Sequence, residues 1–312
     1  MKSFLKSFFN AQPWHMESGE LFLGRLFIAL IIWKEFFFGI SQAGQTMPVG
    51  LAHFMDLSFL QNGPVFDQLH HLFAVAAVLF VFGVTPVLTA GYMLFLMSAV
   101  GSLRNSYGNI HHGTQVVAMV ILGYWLAYLW RLIVNSPNGG TWAQRFFKPS
   151  REVQQCAMWW AFQAAVATYV VAGVSKLQIS GISWLTDLPY MSLHVEKIGW
   201  QHFYGTGEKE LLDQAQEMAA LVAGHPWWTR IIVGSGLFLE LFAFIALFGR
   251  WHAGILGVVL VGMHVMVSRL MQLDFPMNNW VLLIYFINLP FLIMWGVKRI
   301  GGKRFVSESS AT

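Results

Sequence analysis

Cys156-Ala-Met-Trp-Trp-Ala-Phe-Gln-Ala-Ala-Val-Ala-Thr-Tyr169-Val-Val-Ala-Gly173-Val-Ser-Lys176-Leu177 decides how this sequence is read. The stretch is apolar almost throughout and long enough to cross a bilayer core as a helix, which takes about 20 residues. It ends on a charged amine. A charge inside the hydrocarbon region costs about 2.5–3.5 kcal/mol at a helix centre on insertion scales, so such residues mark function by default. The stretch points to a membrane protein, and it makes Lys176 the first candidate residue.

The rest of the sequence has the same character. It is 56% hydrophobic and 11% charged, where soluble domains run near ~25% charged, and this excludes an ordinary soluble domain. The formal charge of +4 is spread over loops, and no basic run is interleaved with solvent-facing aromatics. That argues against a nucleic-acid partner. A single cysteine, Cys156, excludes an internal disulfide and any multi-cysteine metal site. The first 20 residues carry Lys2 and Lys6 but no apolar stretch with a small-residue cleavage site. No cleavable signal is expected, and the first span would direct insertion.

Hydropathy predicts an all-α integral membrane protein, a single domain over 1–312 with about eight transmembrane helices near 21–41, 68–85, 87–103, 114–134, 156–177, 231–249, 252–268 and 277–297. Lys and Arg set the orientation. Lys2, Lys6, Arg145, Lys148, Arg151, Arg250 and the closing Lys298-Arg299…Lys303-Arg304 fall on one side, which places both termini in the cytoplasm of a bacterial inner membrane. The long segment between the fifth and sixth spans, 178–230, then lies outside. It holds Trp184, Tyr190, Trp200, Phe203, Tyr204, Trp227 and Trp228, an aromatic content suited to the membrane interface. Within it, 208–222 has helical spacing, with Leu211, Leu212, Ala215, Met218, Ala219 and Val222 on one side.

Ionisable groups inside the spans are the candidates for chemistry. Arg25, Lys34 and Glu35 lie in the first span, His111 and His112 at the start of the fourth, Glu240 in the sixth, and His264 and Arg269 late in the seventh. Lys34 reads as a side chain snorkelling to the headgroups. Arg25 and Glu35 cannot both stay charged and unpaired in lipid, so at least one is expected to meet another charge or a backbone group. Glu240, about ten residues in from Arg230, sits about 15 Å deep at 1.5 Å per residue, too deep to snorkel. Lys176 has no partner within one turn of its own helix, so Lys176→Met is expected to cost little stability. His111 and His112 are adjacent and cannot both point into a bundle, and no span carries His-x-x-x-His, so no metal is expected.

Five segments in order resemble the transmembrane domain of vitamin K-dependent γ-glutamyl carboxylase and its bacterial relatives, the horizontally transferred transmembrane (HTTM) proteins. They are Leu23-Gly-Arg25, Asn109-Ile-His-His112-Gly, Tyr169-Val-Val-Ala-Gly173-Val-Ser-Lys176-Leu followed by Trp184, Leu239-Glu240-Leu, and His264-Val-Met-Val-Ser268-Arg-Leu270 followed by Phe275-Pro276-Met277. The resemblance implies a cofactor, a reduced, vitamin K-like quinone, with Lys176 as the base that deprotonates it. It implies catalytic roles for His112 and His264 by motif position. Tyr169, Trp184, Glu240 and Arg269 are candidates for holding the cofactor. Burial lowers a lysine's affinity for its proton, which is how such a residue becomes a base. The carboxylase also has a large lumenal domain after its helices, whereas this sequence ends about 15 residues after its last expected span, a short form. Val267 stands where the family has an asparagine after the histidine.

Two functions follow as expectations. One is lipophilic-substrate chemistry at an outer-leaflet site. The other is a non-catalytic factor that binds lipid or assists a partner. The partners in view are a membrane lipid or quinone, an exported peptide, or a neighbouring membrane protein.

Overall fold

The computed structural model describes residues 14–37, 47–107, 113–134, 141–271 and 275–309, and every regular element within them is helical. The long elements are α1 (Ser18–Phe37), α2 (Gly63–Val81), α3 (Pro86–Asn105), α4 (Gly113–Ile133) and α5 (Arg151–Ser180). They continue with α6 (Met191–Thr206), α7 (Lys209–Gly224), α8 (Pro226–Leu241), α9 (Arg250–Met271), α10 (Pro276–Val281) and α11 (Leu289–Ser309).

Their ends follow local chemistry. The Asn62 side chain accepts the Val65 N–H, with Pro64 in the first turn of α2. Ser150 accepts the Val153 N–H at the start of α5, which stops at Gly181 in the left-handed region, φ 58°. These are the side-chain cap and the glycine stop that free helix ends call for. The tight α2–α3 turn is held from outside itself, because the Thr85 N–H donates to the Phe147 carbonyl at 2.9 Å.

α4 and α5 make the closest approach. A Cβ on Gly123 would lie 2.6 Å from the Trp160 carbonyl oxygen and 2.8 Å from the Ala161 Cα. Around this pair Phe73, Phe80, Tyr124, Tyr128, Phe162 and Phe286 are fully buried. The outward faces are apolar too, with Leu72, Val75 and Val78 of α2 and Ile255, Val258 and Val259 of α9 exposed. Apolar both inside and outside is the pattern of a bundle solvated by lipid.

Buried charges are answered within the bundle. Arg25 donates through Nε to the Val81 carbonyl at 3.0 Å and through Nη1 to Gln154 Oε1 at 2.8 Å. This meets the expectation that it bind a backbone or charged group. The Glu35 side chain lies outside the described residues. Lys34 is exposed at the end of α1, as a snorkelling lysine would be. Arg250 pairs with buried Glu20 at 3.0 Å, while Arg151 and Gln155 donate to the Met16 carbonyl, so the start of α1 is tied to α5 and α9.

Five helices, α2, α3, α4, α5 and α9, are long and apolar enough to cross a membrane, and a sixth crossing follows if the bent pair after Pro276 is one span. The expected spans at 68–85, 87–103, 114–134, 156–177 and 252–268 coincide with these five. α1 covers the span expected at 21–41 as far as Phe37 but carries Glu20, Arg25, Lys34 and Glu35. α8 has 16 residues and gives way to a tighter helix over Ala243–Phe248. The span expected at 277–297 is broken by 52°. There a π-helical turn, Leu282–Phe286, runs into Asn288 at φ 60°, whose Oδ1 accepts the Phe291 N–H just past Pro290. An Asn cap followed by a proline is a helix start inside an apolar run, and hydropathy alone reads through it.

The 178–230 segment is helical. α6 and α7 form a hairpin about Gly207, φ 77°. Leu212, Ala215, Ala219 and Val222 of α7 are buried, and Ala215 fills the space where Gly199 lacks a Cβ. Tyr190, Leu193, Tyr204, Trp227 and Trp228 are exposed.

Because the Gly123 contact is against main chain, it cannot relax by a rotamer change. Gly123→Val is expected to destabilise the protein by about 1–3 kcal/mol through overpacking, measured as a lower melting temperature in detergent.

Candidate functional site

α5 and α8 cross at Gly173, where a Cβ would sit 3.0–3.1 Å from three atoms of Leu241. The missing side chain lets the end of α8 close on α5. One turn later Lys176 Nζ donates to both Glu240 oxygens, at 2.6 and 2.5 Å. The Lys176 ammonium also lies 5.2 Å from the centre of the Trp184 ring, which follows the α5 stop. The carboxylate is the more buried partner, with 10% of its side chain exposed against 33% for Lys176.

The pair lines a cavity of about 1390 Å³, built by α3, α4, α5, α8, α9 and α10. Ligand cavities for small molecules usually run ~300–1,000 Å³, so this one is large enough for an extended lipophile. Met97, Met119, Val171 and Met263 are among its apolar wall residues. His264 also lines it, buried and stacked between Tyr169 and Phe275 with ring centres 5.9 and 5.1 Å away. Its Nδ1 pairs with Asn279 Oδ1 at 2.9 Å. An amide oxygen only accepts, so Nδ1 carries the hydrogen and Nε2 is the acceptor. Tyr169 and Asn278 complete the polar end, each with a buried oxygen that lacks a hydrogen-bond partner.

Five of the candidate residues thus share one cavity: Lys176, His264, Tyr169, Trp184 and Glu240. Arg269 does not join them, being exposed near the end of α9. His112 lies outside the described residues, while Thr114 two positions on is part of the lining. Two site residues escaped the sequence reading, Asn278 and Asn279. Their signal was present as two adjacent amides just inside an apolar span, after Pro276. They give His264 the amide partner that Val267 does not supply from its own helix.

The expectation that Lys176 stands alone is corrected. Its partner comes from α8, 64 residues further along the chain, and no helical spacing predicts it.

The pair has chemistry of its own. A proton passing from Nζ to a Glu240 oxygen turns two opposite charges into an amine and a carboxylic acid that remain hydrogen-bonded. In a poorly solvated site the neutral form avoids the cost of burying two ions. Such a pair can hold a proton at either atom.

No family model, curated protein or solved structure matches the chain.

Lys176→Met leaves the more buried Glu240 carboxylate stranded. It is expected to lower stability by about 1–3 kcal/mol, less than a fully buried broken pair because Lys176 is part-exposed. Glu240→Gln is expected to cost less, and the double variant to recover most of the loss. Melting temperatures of the four proteins, read as a double-mutant cycle, check this.

Proposed function

We propose that the chain is a membrane-embedded enzyme acting on a lipophilic, quinone-like substrate within this cavity, with Lys176 as the general base. The convergence of Lys176, Glu240, His264, Tyr169 and Trp184 on one apolar cavity carries the reading. The five motifs that resemble the HTTM proteins and the vitamin K-dependent carboxylase membrane domain supply three of these residues, Lys176, Glu240 and His264, with Tyr169 and Trp184 beside them.

The lining suits a reduced quinone. Its walls are apolar, and its polar end has two oxygens in need of partners, Tyr169 Oη and Asn278 Oδ1. When bound, such a molecule supplies an acidic hydroxyl. Glu240 draws the proton from Lys176 along their hydrogen bond, leaving an amine whose lone pair accepts the substrate's proton. His264, held by Asn279 and by the rings on either side, presents Nε2 as a second acceptor. Trp184 covers the ammonium face of the pair, shielding it from water.

The same ion pair also favours a second reading, a non-catalytic lipid-binding membrane factor that assists a partner protein. A paired lysine holds two helices together whether or not it reacts.

We further propose a bacterial inner-membrane location with eight crossings and both termini cytoplasmic. α1 and α8 with its tighter extension join the six candidate crossings in that count. The basic cluster after the last span supports this orientation. A reporter fused after Thr312 should be active only in its cytoplasmic form, and periplasmic activity there would reverse the topology.

Lys176→Arg separates the two functions. Arginine keeps a cation for Glu240 but cannot give up its proton. For the enzyme, this variant folds with near-normal melting temperature and loses quinol-dependent turnover by at least about 100-fold, the lower end of a general base's contribution. Quinone is expected to copurify with wild type from native membranes. A fully active Lys176→Arg protein would remove the base and leave the lipid-binding factor.

A further inference from the structure

Tyr169 and Asn278 hold two buried oxygens that nothing in the fold satisfies. Tyr169 is 4% exposed and Asn278 8% exposed. Both line the cavity, beside His264 and the Lys176–Glu240 pair. The Tyr169 hydroxyl and Asn278 Oδ1 are neighbours, yet neither completes a hydrogen bond. An unsatisfied buried polar group costs stability, and each one in a folded protein asks for an explanation. Here the two are complementary in sense. The tyrosine is a donor with nothing to donate to, and the amide oxygen is an acceptor with nothing to accept. A single hydroxyl satisfies both, since it accepts from Tyr169 and donates to Asn278.

The charge of the lining restricts what carries that hydroxyl. Among the described lining residues Lys176 is the one Lys or Arg, and it is bound to Glu240, while Asp187 adds a second carboxylate. There is no free cation for a phosphate or a carboxylate head. The walls are apolar, and the volume exceeds what a small polar solute needs.

We propose that Tyr169 and Asn278 are the head-group site of the cavity, binding an uncharged, hydroxyl-bearing membrane amphiphile by clasping its hydroxyl between the tyrosine O–H and the asparagine carbonyl oxygen. This rests on the reading that the cavity takes a lipophilic ligand. It adds two positioning residues that do not depend on Lys176 being a base. The clasp holds the hydroxyl at the end of the cavity where the ion pair and His264 Nε2 lie, and it selects against ethers and anionic lipids.

The test uses the full chain in detergent with three probes, 4-dodecylphenol, its methyl ether and dodecyl phosphate, read by tryptophan fluorescence and by ligand-induced melting shifts. The phenol is expected to bind roughly tenfold more tightly than the ether, the scale of one or two hydrogen bonds. Dodecyl phosphate should bind more weakly than the phenol. Tyr169→Phe and Asn278→Leu should each weaken phenol binding by roughly tenfold and leave the ether unchanged. Without ligand, both variants should melt at or above the wild-type temperature, because each removes an unsatisfied group.

Equal affinity for phenol and ether would overturn the clasp and leave binding to the apolar walls alone. Preference for dodecyl phosphate would make the site one for an anionic head. A lower melting temperature of the unliganded Tyr169→Phe protein would mean that the tyrosine and asparagine serve the fold. Failure of wild type to bind any probe would remove both the head-group site and the lipophilic reading. Tyr169-dependent phenol binding in a protein whose Lys176→Arg variant keeps full turnover would sustain the head-group site while removing the base.

Discussion

A charge placed in an apolar bundle must be met by another group of the bundle, because lipid offers nothing in exchange for lost water. Much of this structure follows from that constraint. Arg25 reaches across to the main chain of α2 and to Gln154, and Glu20 meets Arg250. Lys176 meets Glu240, and that meeting requires α5 and α8 to touch. They touch because Gly173 has no side chain to hold Leu241 away. The glycine, the ion pair and the helix crossing form one unit, and the cavity opens beside it.

The two ends of the bundle differ in how they use polar groups. At the end nearer Met16, the partners are complete. Arg250, Arg151 and Gln155 bind carbonyls and a carboxylate in a fixed arrangement. At the cavity, the ion pair is complete but Tyr169 and Asn278 are not. The first arrangement reads as structural and the second as a site. Native folds seldom leave buried oxygens unsatisfied without a use for them. The stack of Phe275, His264 and Tyr169 keeps the imidazole and the phenol in place beside the pair, so the polar end is rigid although the cavity is wide.

The membrane-length helices were legible because their signal is local. A run such as 156–177 is apolar residue by residue, and length alone makes it a span. The break at Asn288 was legible in principle, from an amide followed one residue later by a proline, but an averaged hydropathy passes over it. The individual site residues were legible in the same local way. Lys176, Glu240 and His264 stand out as ionisable groups in apolar runs. Asn278 and Asn279 were equally visible as amides, yet their neutrality made them look like ordinary span residues.

Local composition therefore determined that this is an all-α chain with membrane-crossing helices, and which ionisable residues need explaining. Only the tertiary structure decided who answers them. Glu240 lies 64 residues from Lys176, and Asn279 lies on the helix after the one that carries His264. Helical periodicity relates residues three or four apart on one face. It has no term for which helix crosses which, and here that was set by a glycine contact between main chain and side chain that carries no hydropathy signal at all.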